Sequence, residues 1–76
     1  MRIKEQIDFL KDEGVYNKMI RSGLLSLKVD LYYEIFNKYN KYRKEGLSKM
    51  DCATFTAEDF KVSESTVFNA LNFMKA

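Results

Sequence analysis

Residues 56–71 read TAEDFKVSESTVFNAL, and the fold turns on what this stretch becomes. One apolar periodicity ends near Phe60, Lys61-Val62-Ser63 forms a turn, and a second helix is predicted from Glu64. Ser63 is placed to cap that helix, because its hydroxyl can accept from an orphan amide of the first turn. Val67, Ala70, Leu71 and Met74 recur at three- and four-residue spacing and so share one face. Ala57 is small where two helices would cross closely, Val62 can plug the turn into a core, and Val67 can anchor the second helix. The spacing predicts two helices meeting at a tight turn. The stretch is acidic on balance: one Lys against Glu58, Asp59 and Glu64.

Upstream, the chain reads as helix almost throughout. SKMD at 48–51 resembles a capping box, with Ser48 capping and Asp51 reaching back. It opens a helix through Phe60 with Met50, Ala53, Ala57 and Phe60 expected to face inward. Residues 26–46, SLKVDLYYEIFNKYNKYRKEG, run from Ser26 as N-cap to Gly46 as C-cap. Val29, Tyr32, Phe36 and Tyr39 form one stripe there, and Leu31, Ile35 and Tyr42 a neighbouring one. Two adjacent stripes make a broad apolar face, as a central helix with several partners requires. Residues 2–13 place Ile3, Ile7 and Leu10 at helical spacing, with Gly14 as a stop. A short helix is predicted over 15–22, closed by Gly23.

Composition narrows the class. A chain of 76 residues makes one small domain that buries only about 60% of its unfolded surface, which makes self-association a natural source of extra stability. Proline is absent and the three Gly stand at 14, 23 and 46, which favours long helices broken at three places. No apolar run approaches the roughly 18 residues of a membrane span, and the N-terminus lacks the apolar core of a signal peptide. With a single Cys there is no internal disulfide framework, and a cytoplasmic location is expected.

The residues of ordinary catalytic sites are missing. There is no His, and Cys52 with carboxylates alone makes no usual zinc site; it reads as a small buried hydrophobe. The adjacent acids Asp12-Glu13 and Glu58-Asp59 point about 100° apart on a helix, so neither pair shares a face. No Gly-rich phosphate loop or nucleophile elbow is present. The expectation is a protein that is not an enzyme and carries no metal, no cofactor and no small-molecule site.

The run Ala57-x-x-Phe60-x-Val62-Ser63-x-Ser65-Thr66-Val67 resembles the helix-turn-helix of phage repressors, resolvases and many transcription factors. The match covers about a quarter of the chain, and about two-thirds once the helix at 27–45 completes a trihelical module. The resemblance implies an all-α fold: an N-terminal helical extension at 1–23, for docking or dimerisation, and a helix-turn-helix module at 24–76. The position after Phe60 departs from the pattern. It is usually Gly because it needs a left-handed backbone, and Lys61 there costs on the order of 1 kcal/mol.

The function this implies is sequence-specific binding of double-stranded DNA, by a bacterial or phage transcriptional regulator or by the DNA-recognition subunit of a mobile element or packaging machine. With Val67 and Leu71 inward, Ser65, Asn69 and Asn72 project outward, flanked by Glu64 and Phe68. Asn can bridge N6 and N7 of adenine, Glu can accept from cytosine N4, and Phe can rest on a thymine methyl. Phosphate contacts are expected from Lys38, Lys41, Arg43, Lys44, Lys49, Lys61, Ser63 and Thr66. Residues 50–76 carry two Lys against four acids, a balance of −2, while 27–49 carry six basic residues against three acids, a balance of +3. The positive charge thus sits on the helix before the motif, where it also suits that helix's macrodipole. FNKYNKYRK at 36–44 interleaves aromatics and cations, but helical spacing assigns its aromatic row to packing rather than to base stacking. The acidic balance of the motif supports an alternative, a protein-interaction module offering Phe68 and Phe73 to a partner. A homodimer would match a two-fold DNA site.

Overall fold

Side-chain caps and left-handed stops divide the chain into five helices in the computed structural model, which describes residues 2–76. They are α1 (Ile3–Asp12), α2 (Tyr16–Arg21), α3 (Leu27–Lys44), α4 (Lys49–Phe60) and α5 (Glu64–Lys75). The Ser26, Ser48 and Ser63 hydroxyls accept from the amides of Val29, Asp51 and Thr66, each satisfying one orphan donor of a first turn. Ser48 does so alone, since Asp51 makes no return bond to close a capping box. The chain leaves α3 through Gly46 at φ 96, a conformation that penalises any side chain.

Two apolar clusters hold the helices together. Ile35 and Tyr39 of α3, Cys52, Ala53 and Ala57 of α4, and Val67, Ala70 and Leu71 of α5 form the first. Phe60 and Val62 pack on its edge. The second joins Ile7 of α1, Tyr16 of α2, Tyr33 of α3 and Met74 of α5. Phe73 packs beside it and meets the Tyr32 ring edge-on at 5.7 Å. The N-terminal helices therefore dock on the same α5 that follows the turn.

Two polar contacts tie α1 and α2 to α3 as well. Asp8 of α1 accepts from the Tyr33 hydroxyl and pairs with Lys4, while the Tyr16 hydroxyl donates to Asp30 at 2.7 Å. The Lys11 ammonium lies 4.5 and 4.9 Å from the Tyr16 and Tyr33 ring centroids, within cation–π range. Burial works to raise the Asp8 pKa, but the bonds from Lys4 and Tyr33, with the charges of Lys4 and Lys11, bring it below the usual carboxylate value. Burial and the bond to Asp30 push the Tyr16 hydroxyl far above its ordinary range.

Two expectations are corrected, and one buried residue lay outside them. Met50 does not face inward: it is 79% exposed, because the buried side of α4 runs through Cys52, Ala53, Thr56 and Ala57. Leu31 lies at the exposed margin of its stripe. Tyr33, outside both predicted stripes, is buried because α1 covers it.

Among the described residues, one buried side-chain oxygen lacks a partner. The Thr56 hydroxyl oxygen is buried without a hydrogen bond, which carries a desolvation cost of about 1–3 kcal/mol. Thr56→Val, nearly the same shape, is expected to raise stability by about 1 kcal/mol in urea denaturation. A loss of stability would mean that the hydroxyl is satisfied.

Among the described residues no helix is long and apolar enough to cross a membrane.

Candidate nucleic-acid interface

The junction of α4 and α5 is built from three consecutive residues with separate tasks. Lys61 adopts the left-handed conformation, φ 56 and ψ 44, where the sequence pattern usually places Gly. Its amide donates to the Glu58 carbonyl, and the Val62 amide to that of Ala57, so the chain closes α4 and reverses within a few residues. Val62 turns into the first cluster. Ser63 accepts from the Thr66 amide at 3.1 Å, and the two hydroxyls lie 3.0 Å apart. Lys61→Gly removes the left-handed penalty at some cost in chain entropy. A net gain of about 0.5–1 kcal/mol in thermal or urea unfolding is expected, and a loss would mean that the Lys61 side chain stabilises the turn.

Helix α5 divides into two faces. Val67, Ala70, Leu71 and Met74 are buried, while Glu64, Ser65, Phe68, Asn69 and Asn72 are all exposed. Ser65, Asn69 and Asn72 make no side-chain hydrogen bond among the described residues, so their polar groups are available to a ligand. Phe68 is 46% exposed and, unlike Phe73, has no aromatic neighbour. Glu64 is partly occupied: the Thr54 hydroxyl of α4 donates to one carboxylate oxygen at 2.6 Å, leaving the other oxygen open.

The negative charge of the motif is less concentrated than its sequence implies. Asp59 turns to α3, where it accepts from the Tyr42 hydroxyl and lies 3.9 Å from the Lys38 ammonium. The bond to Asp59, with some loss of hydration, pushes the Tyr42 pKa up to about 12. Glu64 is the one carboxylate that belongs to α5.

The expected phosphate contacts fall into three groups. Lys49 begins α4, Lys61 stands in the turn, and Ser63 and Thr66 start α5; these belong to the motif. Lys38 and Arg43 are engaged within the chain, Lys38 by Asp59 and the Tyr42 ring. Arg43 donates to the Leu47 carbonyl at 2.9 Å. Lys41 and Lys44 share a side of α3 with Asn37, opposite the Ile35–Tyr39 side that packs against α5. The structure does not bring them together with the exposed face of α5.

Thr54 was not among the sequence candidates. It stands ten residues before Glu64, so only the crossing of α4 and α5 brings the pair together, and helical spacing carries no signal for it. Comparison of the chain with protein families, with curated proteins and with solved structures yields no match.

Proposed function

We propose that the protein binds double-stranded DNA as a helix-turn-helix module and reads sequence with α5. One observation carries the reading. The short left-handed turn holds a helix whose inner face is spent on the core and whose outer face offers three unbonded polar side chains. A major groove admits one α-helix and displays a distinct donor and acceptor pattern for each base pair. Asn69 and Asn72 can each bridge adenine N6 and N7, and Ser65 can serve either a donor or an acceptor. The free oxygen of Glu64 can accept from cytosine N4, and Phe68 can cover a thymine methyl. Lys49, Lys61 and the first-turn groups Ser63 and Thr66 supply the contacts that hold register on the phosphates. The role is non-catalytic, in transcriptional regulation or in DNA recognition for a mobile element or packaging machine. A second copy would read the other half of a two-fold site.

Selection from a random duplex library, followed by titration, tests the reading. Asn69→Ala is expected to cost about 1–3 kcal/mol on the selected sequence and little on a scrambled duplex. An identical response on both sequences would rule out direct readout by α5.

A second reading rests on exposed apolar groups. Phe68 and the 79% exposed Met50 stand one turn on either side of the Thr54–Glu64 contact, on α5 and α4. They would suit a protein partner. Failure to bind any duplex at low salt would favour it.

A further inference from the structure

The outer side of α3 carries a second cationic surface that the reading helix cannot use. Phe36, Asn37, Asn40, Lys41, Arg43 and Lys44 line a shallow groove completed by Lys4 from α1, and no carboxylate lines it. Lys4 and Arg43 each keep one partner within the chain, Asp8 and the Leu47 carbonyl. Lys41 and Lys44 have no ion pair among the described residues. Asn37, Lys41 and Lys44 point away from Ile35 and Tyr39, and hence away from α5. The exposed side chains of α5 in turn point away from α3, since Val67, Ala70 and Leu71 face it. The molecule measures 35 × 21 × 19 Å. A straight duplex lying along α5 therefore cannot also touch the groove.

We infer that this groove binds the phosphate backbone of a second duplex segment, so that one chain holds two segments on opposite sides. The inference rests on the α5 reading for the first segment. The lining favours nucleic acid over protein. Protein hot spots centre on buried aromatic anchors in desolvated pockets. The one ring in this lining, Phe36, is committed to packing against both apolar clusters, and the rest combines Lys and Arg charges with Asn amides, the groups that contact phosphates. Four cations (Lys4, Lys41, Arg43 and Lys44) stand against two Asn, so the second contact is made mainly to phosphates and is largely independent of sequence. Three phosphate contacts would give a slope of log affinity against log salt of about −2.7. Between about 50 and 200 mM salt, retention of the second segment should then fall about fortyfold.

The test uses the whole chain on beads carrying the preferred duplex, followed by a labelled duplex of unrelated sequence. The wild type should recruit the labelled duplex at low salt and release it with the stated dependence. Lys41→Glu combined with Lys44→Glu alters exposed residues only. It should lower the melting temperature by several degrees, because two cations leave the last turn of α3, keep the fold and the preference for the bead-bound sequence, and lower recruitment at least about tenfold. Recruitment by the double variant equal to wild type would overturn the inference, as would a wild type that occupies the beads and recruits nothing. Capture of a glutamate-rich peptide but of no second duplex would assign the groove to a protein partner and overturn it too. Loss of all duplex binding in the double variant, with Asn69→Ala harmless, would sink the α5 reading and the two-sided arrangement together. If the wild type recruits duplex and only Asn69→Ala abolishes sequence preference, both hold.

Discussion

Ile35→Ala is expected to lower stability by about 2–5 kcal/mol. Ile35 is completely buried on α3 in the cluster shared with α4 and α5. Removing its outer carbons leaves a void that three helices must close without losing their own contacts. Close-packed interiors relax only in part, so a cavity penalty adds to the lost transfer energy. A domain of this size has little reserve, with about 5 kcal/mol in total as a common value. The variant is therefore expected to be largely unfolded at 37 °C, or to melt well below the wild type by circular dichroism. A shift of only a few degrees would show that the first cluster is looser than its burial indicates. Leu27→Ala, 75% exposed at the start of the same helix, serves as the control and should change stability by about 0.5 kcal/mol or less.

Ile7→Asp tests the second cluster and should produce a different kind of failure. Ile7 is buried against Tyr16, Tyr33 and Met74, so a carboxylate there loses its hydration, and Lys11, held over the Tyr16 and Tyr33 rings, would have to give up those contacts to pair with it. An unpaired buried charge costs several kcal/mol, commonly about 3–5. Undocking α1 and α2 avoids that cost, because isolated helices of ten and six residues are too short to persist in water. The expected result is loss of protection for the amides of α1 and α2 in hydrogen exchange, with the first cluster surviving at reduced stability. Global unfolding with a single transition would show that the two clusters form one cooperative unit. Unchanged exchange in α1 would mean that the arm does not need Ile7 to dock.

The helices could be read from the sequence because their signals are local. Ser26, Ser48 and Ser63 cap, Gly46 stops, and Val67 to Met74 repeat at helical spacing, all within a turn or two of chain. What escaped needed knowledge of which helix lies on which. Tyr33 belongs to neither predicted stripe of α3 and is buried because Ile7 of α1, Tyr16 of α2 and Met74 of α5 close over it. Met50 keeps helical spacing with Ala53 and Ala57, yet α4 rolls so that Cys52 and Thr56 take the inner positions. Among the candidate site residues, the outer face of α5 followed directly from its inner one. The cations did not sort themselves. Net charge along the chain cannot reveal that Lys38 bends to Asp59, or that Lys41 and Lys44 face away from the turn. The Thr54–Glu64 bond was invisible for the same reason.

Helix α5 is fastened along its whole length, through Val67, Ala70 and Leu71 to the first cluster and through Met74 to the second. A ligand meeting its outer face encounters a backbone with few conformations left to surrender. Such preorganisation removes much of the ordering cost that usually erodes affinity, so the short polar side chains Ser65, Asn69 and Asn72 can discriminate between ligands with little mobility of their own to lose. Rigidity also limits accommodation: a ligand whose spacing differs must adapt its own shape, and the energy of that distortion becomes part of the selection.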